Sequence, residues 1–472
     1  MPSLKKNLFY STLLVLANYV FPFLTYPYVS RVLGVTGIGA CNFVDSIINY
    51  FILFSTLGIE AVGTREIAKS KQDQERLNQV FSNLILVSMA LTGVMLLALL
   101  VLTFTVPVLM AHKEMMLFGA FKLVFNCFLM EWLFKGLEDF RLITVRTIAV
   151  KTLYVVSVFV LVKKAEDVGV YYMLCCLIVV LNAFVNMFIS RKRVRVTFKN
   201  LHLIPTFKAV LTLGFYTILT SMYTSFNTTY LGFVAGDVQV GYYSTATKLY
   251  TIVMALFTAF TGVMIPKLST IVAEGDINRL KKYLHQVVEL LLALTIPLVA
   301  WMIIMAPDII SLISGPGYEG AILPMIIIAP LVFIIGYEQI LVLQTLLPLG
   351  KDSIMLRNSA IGAFVGVILN ILFVPKLLAV GSACVWVVCE VLILLLSQKA
   401  VSLAIGGVFP YKAAFKTILE CLPLVAFLFL CTRAGGSVLS RLLLSVCIVP
   451  SYVFLVQLLI EKRNLLKMLS HQ

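Results

Sequence analysis

Fourteen apolar stretches, each about as long as a bilayer is thick, follow one another from residue 8 to residue 460 with only short polar turns between them. A helix that crosses a bilayer needs roughly 20 mostly apolar residues. Lipid offers no partner for an open backbone N–H or C=O, so segments of this length must be helical where they cross. The spans are predicted near 8–29, 38–60, 79–110, 115–135, 147–162 and 168–190. They continue near 209–235, 242–265, 287–306, 321–348, 357–374, 381–398, 414–432 and 440–460. With 61% hydrophobic and 12% charged residues and a mean hydropathy of +1.01, a soluble core is excluded. No connecting loop exceeds about 20 residues, which leaves no room for a separate catalytic domain. The expected fold class is all-α integral membrane.

Lys and Arg orient the chain, because positively charged loops resist translocation. Loops on the side of the amino terminus hold 28 of the 37, including Lys5, Lys6, Arg65, Lys135, Arg141, Arg146, Lys151 and the run Arg191 to Arg195. The opposite side holds Arg31, Lys113, Lys163, Lys164, Lys376, Arg433 and Arg441. Both termini are therefore expected in the cytoplasm. Met1 to Tyr28 reads as an uncleaved first helix rather than a secretory signal, since no small-residue cleavage site follows. The net charge of +15 follows from this bias together with attraction to anionic membrane lipid, and no nucleic-acid partner is implied.

Other chemistries leave little trace. The nine cysteines lie in or at the ends of spans without a CxxC pair, as buried structural thiols do. His112, His202, His285 and His471 stand apart, with no spacing that suits a metal. Leu349-Gly350-Lys351-Asp352 lacks the upstream glycine and the Ser/Thr of a phosphate-binding loop. No metal, cofactor or ATP site is expected, and active transport would draw on an ion gradient or a partner.

The two halves echo each other. Gly34-Val-Thr-Gly-Ile-Gly39 precedes the second span and Gly236-Asp-Val-Gln-Val-Gly241 the eighth, an offset of 202. Arg76-Leu77 and Ala90-Leu91-Thr92 return as Arg279-Leu280 and Ala293-Leu294-Thr295, an offset of 203. A parallel duplication of six helices is expected. It gives a lobe with a basic linker over 1–208, a second lobe over 209–402, and two appended helices with a tail over 403–472.

Polar side chains inside spans need a reason, since an ionised one costs roughly 2.5 to 3.5 kcal/mol at the helix centre. Asn42, Asp45 and Asn49 step by three and four along the second span and share one face. Tyr216, Thr220, Tyr223, Asn227 and Tyr230 do the same in the seventh. Lys122 lies in the fourth span and Lys248 in the eighth. With about 1.5 Å of rise per residue, Asp45, Lys122 and Lys248 are predicted in one layer about 9 to 11 Å below the outer surface. Two accounts fit that layer. Either the lysines snorkel outward and Asp45 pairs with one of them, or they line a hydrated cavity and attract a polyanionic head group. Glu338 and Glu390 are deeper acids, open either to a coupling proton or to buried pairing. Pro22 and Pro27 mark the first helix for a kink, static or gating.

Several motifs resemble those of one family: Arg31-Val-Leu-Gly34 with Gly37-Ile-Gly39, Glu131-Trp132 with Gly136-Leu-Glu138-Asp139, and Gly241-Tyr-Tyr-Ser with Lys248-Leu249. To these are added Gly315-Pro-Gly-Tyr318-Glu319-Gly-Ala321 and Gln344-Thr-Leu-Leu-Pro-Leu-Gly350-Lys351. Over essentially the whole chain the sequence resembles bacterial O-antigen or capsule flippases, the polysaccharide-transporter branch of the multidrug, oligosaccharidyl-lipid and polysaccharide exporter superfamily. The resemblance implies two pseudo-symmetric six-helix bundles around a central cavity that opens alternately to each side. It also implies an undecaprenyl-diphosphate-linked oligosaccharide as cargo, in the bacterial inner membrane. No fixed motif in that family transfers a binding residue, so the site expectations rest on the residues themselves.

A diphosphate with sugars cannot cross hydrocarbon unaided, whereas its lipid tail need not leave it. Lys122, Lys248 and Arg31 are the candidates for phosphate or acidic sugar. Tyr223, Asn227, Tyr230, Asn42 and Asn49 are those for sugar hydroxyls and ring faces. Asp45, Glu338 and Glu390 are the ion-coupling candidates, and Pro22 and Pro27 mark the gating helix. A polysaccharide polymerase or export machinery are the expected partners besides membrane lipids. A cation-coupled multidrug exporter, a membrane polysaccharide polymerase and a structural member of an export complex are the alternatives.

Overall fold

A computed structural model describes residues 4–199, 201–433 and 435–456, without the side chains at 4, 5, 8, 19, 213, 215–217, 219–220, 222–224, 255–267, 269 and 273. Every apolar stretch within it is helical, which satisfies the backbone inside each segment. Ten helical runs among the described residues are long and apolar enough to cross a membrane, so the chain is a multi-pass membrane protein. By that measure the expected count of fourteen is not reached. Predicted neighbours such as the first and second spans run together as single helical stretches.

The chain separates into two compact units, Met1–Gly241 and Tyr242–Gln472. The first contains α1 (Leu4–Thr56), α2 (Ile59–Ser70), α3 (Gln74–Thr105), α4 (Pro107–Ala111), α5 (Lys113–Asn126), α6 (Glu131–Gly136), α7 (Phe140–Leu161), α8 (Val168–Ser190), α9 (Leu203–Thr224) and the first part of α10 (Phe226–Ala273). Its core gathers Phe81, Trp132, Leu133 and Phe134 with Ile67 and Leu84. The second contains the rest of α10 and α11 (Ile277–Ile304), α12 (Ala306–Ser314), α13 (Ile322–Ile328), α14 (Leu331–Leu341), α15 (Asp352–Ile405), α16 (Tyr411–Arg433) and α17 (Val438–Leu455). Arg441 on α17 grips Asp308 on α12 through two hydrogen bonds of 2.9 and 2.6 Å. Trp301 Nε1 donates to Ser445 Oγ at 2.9 Å. Both contacts tie α17 to its own unit.

Some boundaries differ from expectation. The fifth span begins at Phe140 rather than near 147, so Arg141 and Arg146 lie on α7 and not in a loop, and Lys151, counted with the loop charges, lies on the same helix. The fourth span ends in a break, where Met130 adopts φ 43° between α5 and α6. The dihedrals of α1 leave the helical range at Gly34, not at Pro22 or Pro27.

The repeat is visible in backbone geometry. Gly34 (φ 67°, ψ 176°) and Gly236 (φ 76°, ψ −179°) interrupt α1 and α10 with the same dihedrals, a region open to glycine because it has no Cβ. Three residues before Arg76, Asp73 Oδ1 accepts from the Glu75 and Arg76 amides at 3.0 and 3.1 Å. Three residues before Arg279, Asp276 Oδ1 accepts from the Arg279 amide at 2.9 Å. The same N-cap thus starts α3 and α11.

Just beyond the two glycine breaks, the backbones touch reciprocally. A Cβ built on Gly39 would stand 1.7 Å from the Asp237 carbonyl oxygen, and one on Gly241 would stand 2.3 Å from the Val35 carbonyl oxygen. Val35 and Asp237 follow the two breaks at equivalent positions, so the contact has a local two-fold character.

Candidate functional site

In the first unit, helical spacing puts Asp45 and Asn49 one turn apart on α1, facing Lys122 on α5. Lys122 Nζ donates to Asp45 Oδ1 at 2.6 Å and to Asn49 Oδ1 at 3.1 Å. Asn49 Nδ2 donates to Asp45 Oδ2 at 3.0 Å, and the Tyr172 hydroxyl on α8 reaches Asp45 Oδ1 at 3.4 Å. The Lys122 side chain is 14% exposed and that of Asp45 36%. The ammonium is thus held by oxygens along its inner side while the carboxylate stays partly open. Two of its three N–H groups are committed, which leaves one donor for a further acceptor.

Around this cluster Asn42 Nδ2 donates to the Ile38 carbonyl at 2.7 Å, and Thr229 Oγ1 to Ser46 Oγ at 2.9 Å. Asn227 is fully buried, and Tyr230 stacks on Phe226 with ring centroids 5.5 Å apart. Arg31 is exposed, with its guanidinium on the Pro27 carbonyl at 2.8 Å. The side chains of Tyr216, Thr220 and Tyr223 lie outside the described residues.

Toward the lysine- and arginine-rich end of the same unit lies a charge ladder that the sequence did not reveal. Arg146, buried, donates to the Asn186 side-chain oxygen, to Glu131 at 3.2 Å and to Thr147 at 3.2 Å. Lys135 bridges Glu131 and Glu60 at 3.4 and 2.6 Å, and Lys151 Nζ donates to Asn18 at 2.7 Å. With Lys151 and Arg146 taken for loop residues, neither partner could be sought.

In the second unit Glu338 on α14 and Glu390 on α15 lie close enough to interact. Trp386 Nε1 donates to Glu390 Oε1 at 2.9 Å, and Tyr250 meets the Trp386 ring edge-on at 5.1 Å. Glu390 is 3% exposed. Two such acids on neighbouring helices are a candidate pair for holding a proton between them. Lys248, half-buried on α10, belongs to this unit.

Long apolar helices, a duplicated backbone motif and charged groups placed between spans define a multi-pass protein of transporter fold. The solved structure of "Lipid II flippase MurJ, inward closed conformation" superposes with a TM-score of 0.72 at 15% identity, over 95% of this chain and 99% of that one. An inward-facing multidrug resistance MATE family transporter of the MOP superfamily superposes at 0.65 with 15% identity, over 81% and 94%. The fold is therefore of the MurJ and MATE kind. The family described as polysaccharide biosynthesis protein matches residues 4–272, and the chain belongs to that family. Two relatives carry the description "Putative O-antigen transporter". That of Escherichia coli (strain K12) is 24% identical over 363 residues, covering 73% of this chain and 84% of its own length. That of Shigella dysenteriae is 26% identical over 408 residues, covering 84% and 100%.

Proposed function

We propose that this chain is a secondary transporter that flips an undecaprenyl-diphosphate-linked oligosaccharide from the cytoplasmic to the outer leaflet of the bacterial inner membrane. It works by alternating access and not as an enzyme. The observation that carries the proposal is the ammonium of Lys122, held inside the bundle by Asp45 and Asn49 in a chain of a polysaccharide biosynthesis family. An ammonium with a donor to spare is a movable point charge for phosphate. The two O-antigen transporter relatives and the MurJ-like fold support a lipid-linked cargo.

In this account Lys122, Lys248 and Arg31 meet phosphate or acidic sugar. Tyr223, Asn227, Tyr230, Asn42 and Asn49 meet sugar hydroxyls and ring faces. Asp45 partners Lys122 when cargo is absent. The Glu338–Glu390 pair carries the coupling proton, and the Pro22–Pro27 stretch of α1 takes part in gating. The lobes are 1–208 and 209–402, with 403–472 appended, both termini are cytoplasmic, and a polymerase receives the product.

Deleting the gene and following radiolabelled sugar tests this reading. The lipid-linked oligosaccharide is expected to accumulate on the cytoplasmic leaflet and to reach the outer surface again when the gene is restored. Normal outward appearance in a strain without a redundant transporter overturns it. The MATE-like fold and the two deep acids Glu338 and Glu390 favour a second reading, a cation-coupled multidrug exporter, under which the deletion strain becomes drug-sensitive with its polysaccharide unchanged.

A further inference from the structure

The reciprocal contact of Gly39 with Asp237 and of Gly241 with Val35 brings the two breaks together so closely that no side chain fits between the backbones. A histidine brings a polar side chain to this clasp. His112, between α4 and α5, lies with Nε2 3.0 Å from Asp237 Oδ2 and Nδ1 3.0 Å from the Val108 carbonyl oxygen. Its ring meets Phe43 edge-on at 5.6 Å, and Phe43 in turn packs on Phe233 at 5.2 Å. The histidine thus joins the α4–α5 connection to both sides of the clasp.

Both ring nitrogens face oxygens. A carbonyl accepts only, so Nδ1 must carry a hydrogen. The second contact then forms in one of two ways, imidazolium to carboxylate or neutral imidazole to a protonated carboxyl, and either way it contains one proton more than the deprotonated pair. Removing that proton leaves a lone pair facing a carboxylate.

We propose that His112 and Asp237 are a proton-operated latch on this glycine clasp, which holds α1 and α10 together at their outer breaks while the proton is present and lets them part when it leaves. The inference rests on the flippase reading only in calling this end outer and its opening a step of transport. The sign follows from the environment. The hydrogen bond that the ring donates to Asp237 first, and that donated to the Val108 carbonyl, hold His112 above the ordinary histidine value, against partial burial. Latch stabilisation is therefore complete below about pH 6.5, the value of an unperturbed histidine, and is lost as pH rises through the higher value of the latched state.

Among the described residues, Asp237 is the charged side chain paired with His112. α4 carries no charged residue, and Lys113 and Glu114 flank the histidine along α5. On α1, Arg31 donates to Pro27, Cys41 faces the Val168 carbonyl on α8 at 3.9 Å, and Asp45 is engaged by Lys122.

Spin labels on Thr36→Cys and Val238→Cys, in the full chain with its nine cysteines replaced and held in nanodiscs, report the separation directly. One short distance is expected at pH 5.5 and a second, longer population at pH 8.5. His112→Gln and Asp237→Asn are each expected to give the same distribution at both pH values. A distribution indifferent to pH with His112 present, or a pH response that persists in both variants, overturns the latch. Hydrogen exchange of segments 33–43 and 230–241, corrected for intrinsic rates, makes the same comparison without replacing cysteines. Neither readout uses cargo, so a negative result strikes the latch and leaves the flippase reading to its leaflet assay.

Discussion

Lys122 and Asp45, 77 residues apart in sequence, meet at 2.6 Å in the interior of the first unit. Removing one partner of a fully buried ion pair costs about 3–5 kcal/mol, and because Asp45 is 36% exposed solvent screening brings the cost here below that range. Lys122→Ala is therefore expected to lower the melting temperature in detergent, and Asp45→Asn with Lys122→Gln to recover most of it. If Lys122 also meets phosphate, the double variant regains stability without regaining cargo translocation. Recovery of both assigns the pair a structural role alone.

The neighbouring acids Glu338 and Glu390, as carriers of the coupling proton, predict that either Glu→Gln change uncouples transport from a pH gradient. Gradient-driven translocation in proteoliposomes is expected to fall about tenfold, the scale of a modest coupling free energy. Full gradient-driven activity in Glu338→Gln removes that residue from the coupling role.

Gly39→Ala places a methyl group against the Asp237 carbonyl. Over-packing of this kind costs about 1–3 kcal/mol, and here it opposes closure of the clasp. Gly93→Ala is the control. Nothing lies within 4 Å of its Cβ on α3, and the helix should gain about 0.5–1 kcal/mol. Thermal melts and the Thr36–Val238 distance read the two effects separately.

Asp73→Ala and Asp276→Ala each remove the N-cap of α3 or α11, for which about 1 kcal/mol is expected. Similar losses in the two variants follow from equivalent places in the repeat, and Ser at either position should restore most of the loss. Unfolding midpoints of the four variants check it.

The helical fold was legible because a span's length and polarity are set locally by the bilayer. The repeat was legible because two breaks with one backbone conformation both demand glycine, at Gly34 and Gly236. Asp45 and Asn49 were legible as one helical face, since their spacing alone places them together. Tyr172 was not, because nothing in a tyrosine's local sequence says which carboxylate it will face. Arg146 and Lys151 were misplaced for a physical reason: a cation near a span end reads as a loop until its partners are known, and these are Asn186, 40 residues on, and Asn18, 133 residues back. His112 and Asp237 stand 125 residues apart, so the latch needs the fold to bring it together.

The most direct test of the central claim is translocation by the purified chain itself. Proteoliposomes would be loaded with radiolabelled undecaprenyl-diphosphate-linked oligosaccharide, and the fraction of label open to an added glycosidase would be followed after a pH gradient is imposed. The account predicts transfer that depends on the protein and is lost in Lys122→Ala combined with Lys248→Ala. Transfer no faster than in protein-free liposomes, from a preparation shown to be folded, would contradict it.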